Sequence, residues 1–200
     1  MTVTTPELFL RSTTADWCYE RWEELPDDGN RYEVIDGVLY MSTSPSVYHQ
    51  WIIQLLIELV GVPARLAGWA YYFTAPVGVV IPGIAAIQPD FCLVRRERAD
   101  MIHDRRIRGV PDLIAEVLSP SNAEYDTDTK RHIYARAGLP EYWIVRPATR
   151  DLLCYWAPDT ALGDYTQVRL IPADGALDSP TLPVHLTIAD LFAGAPDTTW

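Results

Sequence analysis

Lysine is almost missing from this chain: of its sixteen Lys and Arg residues fifteen are Arg, and the exception is Lys130. Arginine stays charged at any ordinary pH and presents a planar fork, whereas an ammonium is compact, shifts its pKa readily and can touch one reacting oxygen. A chain that hands every other basic task to Arg has kept one amine, either as the remnant of a bias toward Arg or because that place needs it. Cysteine is scarce as well. Cys18, Cys92 and Cys154 are odd in number, far apart and without the paired spacing of a zinc site, so they exclude a disulfide framework and structural zinc and read as reduced thiols. No apolar run reaches the roughly eighteen residues of a membrane span, and MTVTTPELFLRSTTADW lacks the basic start and apolar stretch of a signal peptide. A cytoplasmic location is the expectation.

Positive charge is short overall. A net charge of -11 argues against non-specific adhesion to nucleic acid, which depends on basic groups displacing counterions from phosphates. It leaves room for a local basic face. Between Arg95 and Arg108 six Arg stand against three acids, and two readings are open. Arg105 and Arg106 contact phosphate, or the segment is a solvated connection with internal ion pairs.

What is abundant is ordinary globular material. With 200 residues, 48% hydrophobic and 22% charged, the chain suits a single domain over residues 1–200. Thr13 or Thr14 caps an expected first helix over 14–25, stopped by Pro26. Tyr32, Val34, Val38 and Tyr40 alternate around Asp36-Gly37, a strong hairpin signal. Trp51, Ile52, Leu55, Leu56 and Leu59 recur with helical period after Ser44-Pro45-Ser46, which predicts a core helix over 47–60. Two paired strands are expected over 70–81 and 84–94, the second containing Asp90.

The stretch from Pro111 to Ser119 is apolar on both faces apart from its acids, as a central strand is. Ser119-Pro120-Ser121-Asn122 breaks it. Glu124, Asp126 and Asp128 then crowd the start of a helix to about Ala137, where they suit the macrodipole. Strands at 141–145 and 152–156, another near 165–171 and a short helix at 188–192 close the chain. Helices and strands interleave, which implies an α/β mixed sheet flanked by helices, with a core over 32–156 and a C-terminal strand and short helix over 164–192.

The chemistry lies in a few charged positions. Alternation puts Asp112, Ile114, Glu116 and Leu118 on one strand face, so Glu116 is a carboxylate deep in an apolar strand, costly unless a metal or hydrogen bonds compensate it. Asp90 poses the same puzzle. Two carboxylates on adjacent strands are hard oxygen ligands for Mg²⁺ or Mn²⁺; alternatively each caps a turn or pairs with a nearby Arg. Lys130, Ile133 and Ala137 share a helical stripe, which turns Lys130 toward the sheet, and helical side chains lean N-terminally toward the strand end that carries Glu116. Two acids for a metal and one amine are the equipment of phosphodiester hydrolysis.

Several motifs together resemble one known family. Pro89-Asp90, the run from Ala115 to Ser121, Asp128-Thr129-Lys130, and Tyr134 through Trp143 are similar to the Uma-type family of restriction endonuclease-like proteins, as are the Tyr32–Gly37 hairpin and His49-Gln50. The likeness spans about Tyr32 to Trp156 and implies the PD-(D/E)xK nuclease superfamily: a restriction-endonuclease-like mixed sheet and a metal-dependent cut of DNA. By that resemblance Asp90 and Glu116 are the motif acids, and Leu118 stands where the motif lysine is expected, so Lys130 substitutes from the next helix. Glu33 is an additional metal or water ligand by the same likeness, or a hairpin acid paired with Arg31. His49 shuttles a proton or contacts phosphate, or is a helix cap, and Gln50 beside it is the weaker candidate. Asp112 competes with Asp90 as motif aspartate, but lies about 13 Å along the strand from Glu116.

The expectation is a Mg²⁺- or Mn²⁺-dependent endonuclease with DNA as substrate and no membrane partner, with a homodimer supplying two sites for two strand breaks. Two alternatives stay open: an idle nuclease fold used for binding or assembly, and a hydrolase of another phosphate ester.

Overall fold

In the computed structural model, residues 9–119 and 124–195 are described. The Asp36-Gly37 signal lands where the pattern puts it. β2 (Arg31–Ile35) and β3 (Val38–Ser42) pair antiparallel with Ile35 opposite Val38, and both turn residues take positive φ, 48° and 78°. Gly37 is required there, because a Cβ would stand 2.5 Å from the Ala15 carbonyl oxygen. That close approach also explains a departure. The helix expected over 14–25 is only α1 (Tyr19–Glu23), since the preceding residues run along the hairpin as β1 (Phe9–Arg11) and then an extended segment, with Ser12 N–H bonded to Leu39 O and Trp17 N–H to Gly37 O.

The two strands expected over 70–81 and 84–94 are four. β4 (Ala70–Thr74) pairs with β7 (Phe91–Arg95), while β5 (Gly78–Ile81) pairs with β6 (Ala85–Ile87) across Pro82-Gly83. Among the described residues they divide between two six-stranded sheets. With β8 (Arg106–Arg108), the first runs β1-β3-β2-β6-β5-β8. The second, with β9 (Leu113–Val117), β10 (Glu141–Arg146), β11 (Asp151–Asp159) and β12 (Asp164–Ile171), runs β12-β11-β10-β9-β7-β4. Asp90 is therefore not inside a strand. It occupies the crossing from one sheet to the other, one residue before β7.

The core helix is interrupted. α2 (Val47–Leu56) passes through a wider π-helical turn at Ile57–Gly61 into α3 (Val62–Leu66), where Pro63 lacks an N–H to continue the regular ladder. It covers one face of the second sheet: Ile52, Leu56 and Val60 are packed with Leu113, Ala115, Val117 and Trp143, together with Leu191 and Phe192 of a C-terminal 3₁₀ turn. The other face meets α4 (Arg131–Ala137), which a π-helical stretch at Tyr125–Lys130 precedes, and the first sheet: Ile114, Tyr142 and Ile144 pack there with Ile133, Tyr134, Ile35 and Tyr40. β9 is thus buried on both sides, as its composition demands. β9 and β10 are parallel neighbours joined through the helix, a βαβ crossover whose α4 ends on Gly138 in the left-handed conformation. The strand break at Pro120–Asn122 lies outside the described residues.

A fully buried acid ties the C-terminal hairpin, β13 (Ala176–Asp178) and β14 (His185–Thr187), to this sheet. Glu141 accepts from Trp143 Nε1 at 2.6 Å, Ser179 Oγ at 2.7 Å, Thr181 N at 3.2 Å and the Thr181 hydroxyl. Its role is structural. Replacing it by Ala strands several buried donors, and Glu141→Ala is expected to lower unfolding free energy by about 3 kcal/mol in chemical denaturation. A loss below about 1 kcal/mol would show that the clasp contributes little.

Candidate active site

Asp90 and Glu116 come together because β7 and β9 are antiparallel neighbours with Phe91 opposite Ala115, so the next step along the register brings the two acids side by side. The backbone locks them: Asp90 N–H donates to Glu116 Oε2 at 3.2 Å, and Val117 N–H donates to Asp90 Oδ2 at 2.8 Å. Alternation along β9 turns Ile114 and Glu116 toward the α4 side and Leu113, Ala115 and Val117 toward α2. The helix answers from that side. Asp126, Lys130 and Tyr134 follow at intervals of four along the π-helical turn and α4, and all three are buried.

Lys130 is 1% exposed. Its Nζ lies 2.9 Å from Glu116 Oε1, 3.1 Å from Glu33 Oε2 and 3.3 Å from Asp126 Oδ1. Tyr134 OH donates to Glu116 Oε1 at 3.0 Å, Tyr125 OH to Glu33 Oε2 at 3.1 Å, and Gln88 N–H to Glu33 Oε1 at 2.8 Å. Glu33 is therefore in the cluster, and its hairpin neighbour Arg31 does not pair with it as one reading of the sequence had it. Arg31 Nη2 reaches Asp90 Oδ1 at 2.6 Å instead. Asp126, expected to serve the helix dipole, is drawn inward to the lysine.

Burial governs the electrostatics. It would raise the Asp90 carboxyl, but Arg31 first and then His49 and the Val117 N–H hold it well below the usual carboxylate range. For Glu116, burial together with Asp90, Asp126 and Glu33 outweighs Lys130 and pushes the carboxyl up. Asp126 moves up for the same kind of reason, burial first, against the pull of Lys130. Lys130, which burial alone would lower, is held above its ordinary value by Glu116, Glu33 and Asp126.

These residues suit a divalent cation in chemistry. Four buried carboxylates, Glu33, Asp90, Glu116 and Asp126, face Arg31 and Lys130, leaving a surplus of two negative charges when all are ionised, and hard oxygens are what Mg²⁺ and Mn²⁺ accept. Asp126 Oδ1 is buried without an aligned hydrogen bond, although Lys130 Nζ is near. Among the described residues no group of three or more His, Cys, Asp and Glu is already spaced to hold a metal ion. Arg31 lies on one Asp90 oxygen, and Lys130 stands among the other three acids.

The remaining candidates separate. His49, near the start of α2, is buried with Nε2 3.1 Å from Asp90 Oδ2 and Nδ1 without a hydrogen-bond partner, while Gln50 beside it is exposed. Asp112 belongs to another cluster, accepting from Arg95 N–H and Arg98 Nη1, each at 2.8 Å. Arg105 and Arg106 are not brought to the acids. Arg105 is exposed next to β8, an edge strand of the first sheet, and Arg106 on that strand lies 3.4 Å from Glu23 and over the Trp22 ring. Sequence reasoning missed Arg31 and Asp126. Their signals were spacing: Arg31 precedes Glu33 by two on one strand face, and Asp126 precedes Lys130 by four.

The sequence profile of the family described as "Uma2: Putative restriction endonuclease" matches residues 18–190. A crystal structure of "a putative nuclease belonging to DUF820" from Anabaena variabilis ATCC 29413 superposes with a TM-score of 0.72 at 19% identity, covering 87% of this chain and 96% of that one. That likeness establishes the fold. No curated protein matches.

Removing the ammonium leaves buried carboxylates without their main counter-charge. Lys130→Met is expected to destabilise the metal-free protein by about 3–5 kcal/mol in urea unfolding at neutral pH, and a loss under about 1 kcal/mol would contradict the geometry. Cys92, two residues from Asp90, has its thiol pushed up to about 12 by burial and by Glu116. Between about pH 7 and 9 iodoacetamide should therefore modify the exposed Cys18 in the native protein, with Cys92 and Cys154 reacting only after unfolding, as read by peptide mass mapping.

Proposed function

Because the chain belongs to the Uma2 family, described as "Putative restriction endonuclease", we propose that it is a divalent-cation-dependent nuclease cutting DNA phosphodiester bonds. The observation that carries this reading is the convergence of Asp90, Glu116 and Lys130, from a sheet crossing, a central strand and a helix, into one buried cluster. In this reading Asp90 and Glu116 hold the cation and Glu33 supports them from β2. A bound cation would supply Lewis acidity toward the phosphate and lower the pKa of water.

The protein's own groups do the rest. Lys130 fixes the Glu116 carboxylate through Oε1 and places a positive charge beside the reacting phosphate, where negative charge grows as the bond breaks. Tyr134 restrains the same oxygen and Tyr125 restrains Glu33, so the acids do not need to reorganise during the reaction. His49, on the other Asp90 oxygen, orients that carboxylate. Each cluster cuts one strand; two copies of the chain would supply the pair of cuts that a duplex needs.

The test is relaxation of supercoiled plasmid with Mg²⁺ or Mn²⁺. Asp90→Asn, Glu116→Gln and Lys130→Met are each expected to reduce nicking by about 100-fold or more while circular dichroism stays native. Scission that survives in the Asp90→Asn/Glu116→Gln double variant would end the proposal. An idle binding module is the outcome if the wild-type protein neither nicks DNA nor takes up Mn²⁺ in titration calorimetry. Cleavage of small phosphate diesters but not DNA would move the activity to another ester.

A further inference from the structure

Asp90 has two oxygens, and the structure treats them differently. Oδ2 is held by fixed groups: the Val117 backbone N–H at 2.8 Å and His49 Nε2 at 3.1 Å, the latter on a helix packed into the core. Oδ1 is held by Arg31 Nη2 at 2.6 Å, the end of a long flexible side chain. Arg31 is also the most accessible charged group of the cluster, with its side chain 16% exposed against 1–5% for Glu33, Asp90, Glu116, Asp126 and Lys130. Among the described residues its guanidinium hydrogen-bonds to Asp90.

We propose, resting on the nuclease reading above, that Arg31 is a built-in counter-ion that occupies the cation-binding oxygen of Asp90 in the metal-free protein and must leave it when a divalent cation binds. The two occupants compete, because both carry positive charge and Oδ1 is the Asp90 oxygen that the fixed Val117 N–H and His49 leave for either. Arginine cannot make way by losing its proton, since its guanidinium stays charged at any accessible pH. It must move. Lys130 is a contrast: three acids surround it and it has no comparable exposure, so it stays as the fixed amine while Arg31 is the exchangeable one. The arrangement lets the protein fold around a buried aspartate before any metal arrives. It also makes apparent metal affinity depend on how strongly Arg31 holds the closed state, since an occupied site reduces affinity by the fraction of molecules that are open.

Two measurements test this, neither of them of activity. In wild-type protein, phenylglyoxal modification of Arg31, followed by peptide mass mapping, is expected to speed up about tenfold or more when saturating Mn²⁺ is added. Mn²⁺ titration calorimetry is expected to give a dissociation constant at least about tenfold smaller for Arg31→Gln than for wild type, with Arg31→Lys in between. Thermal unfolding of each variant identifies any that fails to fold, and the modification arm needs no variant. That arm also separates displacement from the mere loss of a nearby charge. Mn²⁺ binding by wild type with no rise in Arg31 modification overturns the exchange and leaves the nuclease reading standing. No Mn²⁺ uptake by either wild type or Arg31→Gln overturns both. Uptake by Arg31→Gln alone supports the exchange, with Arg31 holding the site shut.

Discussion

The ammonium of Lys130 among three carboxylates is the interaction on which the rest of this structure depends. Each acid sits where water cannot solvate it, and an uncompensated buried charge costs several kcal/mol. One nitrogen meets oxygens of Glu116, Glu33 and Asp126 within 3.3 Å. That explains the choice of amine in a chain otherwise built with Arg. An ammonium has three donors splayed around a point, whereas a guanidinium spreads five in a plane and matches one carboxylate edge-on. At Asp90, where a single oxygen is met from the more exposed side of the cluster, the chain uses Arg31 through Nη2. Lysine and arginine are distributed here by geometry.

The cluster also welds the molecule together. Glu33 comes from the first sheet, Glu116 from the centre of the second, Asp90 from the crossing between them, and Lys130 from the helix of the β9–β10 crossover. Arg136 on the same helix pairs with Asp36 at the hairpin turn, and Arg131 with Asp164 at the start of β12. Charge thus tethers α4 at several points while Ile133 and Tyr134 bury its apolar side. A site assembled from both sheets exists only when both are formed, which makes its geometry a property of the whole fold.

Much of this could be read from local rules. The Asp36-Gly37 turn, the alternation that aims Glu116 away from Val117, and the inward stripe through Lys130 all follow from periods of 2 and about 3.6 residues. Those rules fail where distant partners decide. The expected helix over 14–25 shrinks because its first half bonds to the hairpin edge, and the expected strands over 70–81 and 84–94 divide because their halves belong to different sheets. Arg31 was read as the neighbour of Glu33, yet its partner is fifty-nine residues away in sequence. Asp126 was read as a dipole acid because at a helix start that is the commoner use of Asp; the inward turn of the π-helical stretch overrides it.

The Arg-rich segment is largely engaged with groups of its own fold. Arg95 and Arg98 are engaged with Asp112, Arg96 lies over Tyr71, Arg106 lies beside Glu23 and over Trp22, and Arg108 lies over Tyr19. Arg95, Arg98 and Arg106 are thus ion-paired within the fold, while Arg96, Arg105 and Arg108 keep their charge at the surface of a chain that as a whole carries -11. Exposed pairs of this kind add little long-range field once salt screens them. Binding of a phosphodiester by such a protein cannot rest on bulk surface charge, as it does for strongly basic proteins. In the proposed nuclease the attraction would come from cations at the site itself, Arg31 at its more exposed side and a divalent ion held by the acids. Under the exchange proposed for Arg31, substrate affinity and metal affinity would be two views of one electrostatic balance, set by which cation sits on Asp90.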